Sequence, residues 1–217
     1  TSVGLASEDG TALAALARGI ARVPPREVPG SRLAAAASEV VRLLDEMIAA
    51  IARLQENNGH SFQRPDATHV EFDPTRTTLS GQAGSLAFRK ISGARVRFES
   101  NVSFKTPGFD SNDLGFIRRA DQITQSNWLQ WRHDQPGKFI RSFRFNINQW
   151  GGHNFDGDRL YFGGNVNAHW TFKNNWSTGF GINRERDSFD DRATRGGPGA
   201  NYEGNWNFWN YVNTDSR

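Results

Sequence analysis

Three pairs of closely spaced carboxylates are the side chains whose type and spacing most readily suggest chemistry: Asp110 with Asp113, Asp156 with Asp158, and Asp190 with Asp191. The first two pairs lie in oxygen-rich loops of the kind that hold Ca²⁺. The third could supply the acid and base of a glycoside hydrolase. Each has a plainer reading. Asp in a Gly-rich turn ordinarily bonds its own backbone, and adjacent carboxylates in such a loop are ordinarily solvated. The plainer reading is favoured, so no metal site is expected. His60, His69, His133, His153 and His169 are scattered without metal-ligand spacing, and the absence of cysteine excludes disulfides and thiolate sites. Neither a nucleophile elbow, an HExxH, a P-loop nor a dinucleotide fingerprint occurs. No catalytic residue and no cofactor is therefore expected in this chain, and an enzyme is not.

Two further groups are suited to binding. Arg95, Arg97, Glu99 and Arg144 fall at alternate strand positions, so they would share one face and form a charge-paired lining, with a selectivity role if that face lined a pore. Trp206, Trp209 and Tyr211 are candidates for a platform on which sugar rings stack. The formal charge of +3, with its basic residues dispersed, gives no footprint for nucleic acid.

The elements that must position these residues fall into two grammars. The 16 Phe, 7 Trp and 3 Tyr all lie at or after Phe62. Residues 1–60 are instead Ala-rich, with prolines at Pro24, Pro25 and Pro29, and read as helical or irregular. From Ser31, which can cap it, a helix is expected: Val40, Leu44, Met47, Ile48, Ile51 and Leu54 recur at three- and four-residue spacing, and Asn57, Asn58 and Gly59 end it. Beyond residue 61 the period changes to two. Leu160, Phe162, Gly164, Val166, Ala168, Trp170 and Phe172 alternate with Tyr161, Gly163, Asn165, Asn167, His169, Thr171 and Lys173. Alternation repeats at 94–104 and 142–148, with weaker strands near 78–89, 123–133, 176–184 and 203–212.

Only 36% of the chain is hydrophobic, and no run of 18 apolar residues exists, so a membrane-spanning helix is excluded. Barrel strands are not, because they are half apolar and half wet. The N-terminus reads as no signal peptide. Connections 90–93, 134–138 and 173–175 are short, whereas 105–122, 150–159 and 185–202 read as longer. Strict alternation of this kind is how transmembrane barrels place tight turns on one rim and loops on the other. Trp131, Trp170 and Trp176 beside the short turns fit an interfacial belt. The expected fold is mainly β: an antiparallel meander of about seven strands over 61–217, part of a transmembrane β-barrel, with a short helical N-terminal segment. A soluble carbohydrate-binding β-domain is the alternative.

The stretch IARLQENNGHSFQRPDATHVEFDPTRTTLSG at 51–81 resembles a segment of the DUF5916 family of large outer-membrane proteins, which carry a family 9-like carbohydrate-binding module before a C-terminal barrel. The likeness continues through TPGFDSNDLGFIRRADQ (106–122), RSFRFNINQW (141–150), NFDGDRL (154–160), NNW (174–176), FDDRATRGGPG (189–199) and NTDSR (213–217). Residues 1 to about 50 depart from it, where further alternating strands would be expected. The resemblance implies a fragment of a barrel in the outer membrane of a Gram-negative bacterium, contacting lipid and linked to glycan binding or uptake.

Overall fold

A computed structural model describes residues 30–93, 95–111 and 116–215 of the chain. Asp113 and the first 29 residues lie outside them. Among the described residues one helix, α1 (Gly30–Glu56), precedes nine strands: β1 (Ala83–Lys90), β2 (Val96–Lys105), β3 (Gln122–His133), β4 (Ile140–His153), β5 (Arg159–Phe172), β6 (Ser177–Glu185), β7 (Ser188–Asp190), β8 (Ala200–Tyr202) and β9 (Trp206–Asn213). Seven of these form one antiparallel meander in the order β1-β2-β3-β4-β5-β6-β9, while β7 and β8 make a separate small hairpin inside the connection from β6 to β9. The seven expected strands are the seven of the sheet. The hairpin was not anticipated. The sheet is not closed: β1 and β9 each keep one unpaired edge.

α1 reaches back to Gly30, so Ser31 lies within the helix rather than capping it from outside. It ends at the expected residues: the Asn57 side-chain oxygen accepts the N–H groups of Gly59 (2.8 Å) and His60 (3.1 Å), which stops propagation. Among the described residues only its last turns join a core. Ile51 and Leu54 join Phe62, Val70, Phe72 and Leu79 in a small core, whereas Leu33 and Val41 are exposed. Gln55, fully buried, ties the helix to the segment that follows, donating to the Asp73 carbonyl (2.9 Å) and accepting its N–H (3.0 Å). The compositional boundary at residue 60 therefore falls inside a packed unit that runs from the end of α1 to about residue 80.

The connections agree with the expected alternation except at one. β4 continues through Gln149, Trp150, Gly151 and Gly152 to His153, so the middle connection is only 154–158, no longer than the 134–139 turn. Trp150, Gly151 and Gly152 read as loop because glycine and a polar Gln interrupt the apolar pattern. In the structure they pair with Gly163, Phe162 and Tyr161 across the ladder.

Register gathers the aliphatic residues of the strands on one face, where a small cluster of Gln125, Asn127 and Gln149 also bonds itself. Phe98, Leu129, Ile147, Val166, Ile182 and Phe208 follow one another across the sheet, paired in turn with the neighbouring strand. The opposite face carries a second continuous row: Glu99, Trp128, Asn148, Asn165, Asn183 and Asn207. Burial is inverted relative to an ordinary sheet. Val166 is 41% exposed, while Asn165 and Asn167 beside it are 9% and 8% exposed. Among the described residues, nothing covers the apolar face.

Candidate functional site: the polar face and the long-loop rim

The buried polar groups concentrate at one end of the sheet, where segment 57–76 meets the connections β2–β3, β4–β5 and β6–β9. Asp121 stands at the centre, fully buried and held at φ 56°, a left-handed conformation that a non-glycine residue adopts at a cost. Its carboxylate accepts from Arg64 Nη2 (2.7 Å) and the Phe155 N–H (3.0 Å), and faces His69 Nε2 at 2.8 Å. Asp191 accepts from Arg64 as well, from Arg119 (2.6 Å) and from Asn154 (3.3 Å). Arg192 donates to the carbonyls of Gly59 (2.9 Å), His60 (3.3 Å) and Ala120 (3.1 Å). Four separate stretches of chain are thus tied by one ion-pair network.

That arrangement settles what the carboxylates do. Asp191 is not solvated, as expected from its loop, but 4% exposed and ion-paired to two arginines. The sequence spacing could not show that Arg64 and Arg119 would converge on it. Its neighbour Asp190 accepts the Arg192 N–H at 3.0 Å, so both carboxylates help tie this loop to the rim. Asp156 takes up the Thr68 N–H (2.7 Å) and hydroxyl and stands 3.3 Å from His69 Nδ1. Asp158 accepts from Asn154, whose own oxygen accepts the N–H groups of Asp156 (3.1 Å) and Asp158 (2.8 Å), an Asx turn. No group of three metal-ligating side chains gathers among the described residues.

Burial pushes the Asp121 carboxyl up, but the hydrogen bonds from Arg64, the Phe155 N–H and His69 outweigh it and hold the group below its ordinary value. Thr68 and His69 do the same for Asp156. A carboxyl depressed in the folded state stabilises the fold above its unfolded pKa, and that contribution is lost as pH falls through the folded value. The melting temperature should therefore hold from pH 7 to about 5 and fall below about pH 4. In Asp121→Asn the starting stability should be lower and the acid-induced fall smaller. An unchanged acid profile in that variant would show that Asp121 is not part of the linkage.

The polar face supplies the second constellation. Trp128 Nε1 and Gln130 Nε2 donate to Asn146 Oδ1 (3.2 and 2.9 Å), Asn146 donates to Asn167 (2.7 Å), and Asn148 donates to Asn165 (3.0 Å). His169 faces Asn167 (3.0 Å) and the Tyr211 hydroxyl (3.0 Å). Such fully paired amide ladders rigidify a buried surface. Trp209 and Tyr211 lie parallel, 6.3 Å apart at 11°, against the glycines of β6. A Cβ on Gly179 would come within 2.6 Å of the Tyr211 ring, and one on Gly181 would meet Trp209 still closer. Glycine is required there so that the rings can lie flat.

Arg95, Arg97, Glu99 and Arg144 all fall on this face. Glu99 pairs with Arg89 at 4.0 Å. Of the stacking candidates, Trp209 and Tyr211 share the polar face. Trp206 is on the other, under Arg184 (5.2 Å) and stacked on Phe208 (6.5 Å). The register forbids a single platform of three, because residue 206 differs in parity from 209 and 211. Trp128 and Trp150 also stand on the polar face, the second in a stretch whose sequence reads as loop. Extending the β4 alternation two residues beyond Asn148 would have placed Trp150 among the asparagines.

An open antiparallel meander, apolar on one face and amide-rich on the other, with its longer connections clasped by buried ion pairs, is the class of fold these elements define. The family model described as a domain of unknown function, DUF5916, matches residues 48–217, and the chain belongs to that family. The match begins inside α1, close to where the helix starts to pack at Ile51. No curated protein and no solved structure matches the chain.

Proposed function

We propose that this chain forms part of an outer-membrane β-barrel, with the Val166 face toward lipid and the Asn165 face toward the lumen. The observation that carries this reading is the inverted burial: valine, leucine and phenylalanine are the more exposed set, and asparagine the more buried one. In water, that arrangement forfeits about 25 cal/mol for each Å² of apolar surface left uncovered. In a bilayer it is the stable one.

The ring geometry supports it. Trp131 and Phe143 (5.5 Å), Phe143 and Trp170 (5.0 Å), and Trp170 and Phe180 (5.7 Å) form a row along the apolar face near the short-turn rim. Phe104 and Phe162 lie toward the opposite rim. Two aromatic bands bounding an aliphatic zone are what the two membrane–water interfaces favour. The free edges of β1 and β9 then require pairing with further strands or with another copy, because unpaired backbone groups are not tolerated in hydrocarbon. A soluble carbohydrate-binding β-domain would need a second layer over the apolar face.

The test is partition. Expressed in a Gram-negative host with an export signal, the chain should fractionate with outer membranes, resist alkaline carbonate and be released by detergent. Recovery of folded, monomeric chain in buffer alone would overturn the barrel reading.

A further inference from the structure

We propose that the polar face carries a saccharide subsite in the cleft between β2, β3 and β4, built by Trp128, Trp150, Glu99, Ser126 and Asn148. This deepens the barrel reading, since it places the subsite on the lumen side. The cleft measures about 310 Å³, at the lower end of the roughly 300–1,000 Å³ usual for small-molecule sites.

The register explains its shape. Trp128 pairs with Asn148 and Ser126 with Trp150, so the two indoles stand diagonally across two short polar side chains. Glu99 pairs with Trp128, which brings a carboxylate to the floor, and Asn101 pairs with Ser126, which sets an amide beside it. Indole walls with hydrogen-bonding groups between them suit a pyranose ring. Its C–H faces carry slight positive charge and stack on the negative π-face, while its ring-edge hydroxyls both donate and accept.

Two further observations favour a neutral polyol over an ion. Glu99 is the one charged residue lining the cleft, and Arg89 stands 4.0 Å from it, which offsets its charge. The hydrogen-bonding capacity beside the cleft is also unspent. Asn101 Oδ1 and Arg97 Nε are buried without a hydrogen-bond partner, an acceptor and a donor flanking Glu99 along β2. A buried polar atom left unsatisfied is costly, on the order of 1–3 kcal/mol, and a hydroxyl-rich ligand would relieve it. Elsewhere on this face the amides are already bonded to one another. The amide row Asn148–Asn165–Asn183–Asn207 leads from the cleft toward Trp209, a route along which a longer chain of sugars could extend.

The full chain in detergent or lipid nanodiscs would be titrated by calorimetry with maltohexaose, cellohexaose, xylohexaose and chitohexaose. At least one should saturate the protein and perturb its tryptophan fluorescence. Trp128→Leu and the near-isosteric Glu99→Gln should each weaken that binding tenfold or more. Trp176→Leu, at a short turn, should leave it unchanged. Far-UV circular dichroism checks that each variant folds, and Asn101→Asp serves if Trp128→Leu does not. Failure of all four saccharides to bind the inserted wild type would overturn the subsite and leave the barrel standing. Equal loss in Trp176→Leu would also overturn it. Binding by a chain that never enters the membrane would overturn the barrel reading and retain the subsite.

Discussion

Val166→Arg should raise the free energy of the membrane-folded chain by about 2–4 kcal/mol, and Asn183→Arg by far less. Val166 lies midway along β5 and is paired with Ile147 on one side and Ile182 on the other. A guanidinium there would face hydrocarbon at its greatest depth. Asn183 is the next residue after Ile182, at the same depth but on the opposite face, half-buried among other amides. Arginine there would reach the amide-rich face between Asn165 and Asn207. The loss of the Asn183 amide bonds to Asn165 and Asn207 costs about 1 kcal/mol each at most, the second at an exposed position where water replaces it, which bounds the effect on that side. Urea-dependent folding into liposomes, followed by tryptophan emission, reads both variants on one scale. Equal tolerance of the two would show that depth and face do not matter, and the assignment of lipid and lumen sides would fail.

The strands were legible because their signal is local. Period-two alternation is written into each strand, and the register it demands follows from keeping Val166 and its neighbours on one face. Where glycine replaced an apolar residue, as at Gly151 and Gly152, the local signal failed and the end of β4 read as loop. The rim was illegible for a different reason. Arg64, Asp121 and Asp191 are separated by dozens of residues, and nothing in their spacing announces that one guanidinium will span two carboxylates. Their motifs were visible as motifs, in QRPDATH, RRADQ and FDDRATRGG, and carried the family resemblance without disclosing a role. The structure supplies that role: these stretches are where separate connections lock together. Trp206 illustrates a third kind of limit. Composition groups it with Trp209 and Tyr211, but parity along β9 sends it to the other face.

Arg64→Ala should be the most damaging single change at the rim, costing about 3–5 kcal/mol. Arg64 is 4% exposed and donates to Asp121 and Asp191, which are themselves almost wholly buried. Removing it leaves Asp121 with His69 and Asp191 with Arg119, and strips each carboxylate of its most buried cation. Asp121 is also fixed at positive φ, so the backbone strain it bears loses part of what offsets it. The sheet ladders do not depend on this contact, so far-UV circular dichroism at low temperature should still report β-structure. Limited proteolysis should instead cut within 57–76 and 186–199, the stretches the network clasps. Arg64→Lys should rescue only part of the loss, because a single ammonium cannot hold both carboxylates as a planar fork does. Neutralising the stranded acids in Arg64→Ala/Asp121→Asn/Asp191→Asn should recover stability relative to Arg64→Ala alone, since the penalty there is unpaired buried charge rather than a lost contact. A cost below about 1 kcal/mol for Arg64→Ala, the range of an exposed ion pair, would mean that water reaches the rim and that the packed segment ending near residue 80 is held by its small apolar core instead.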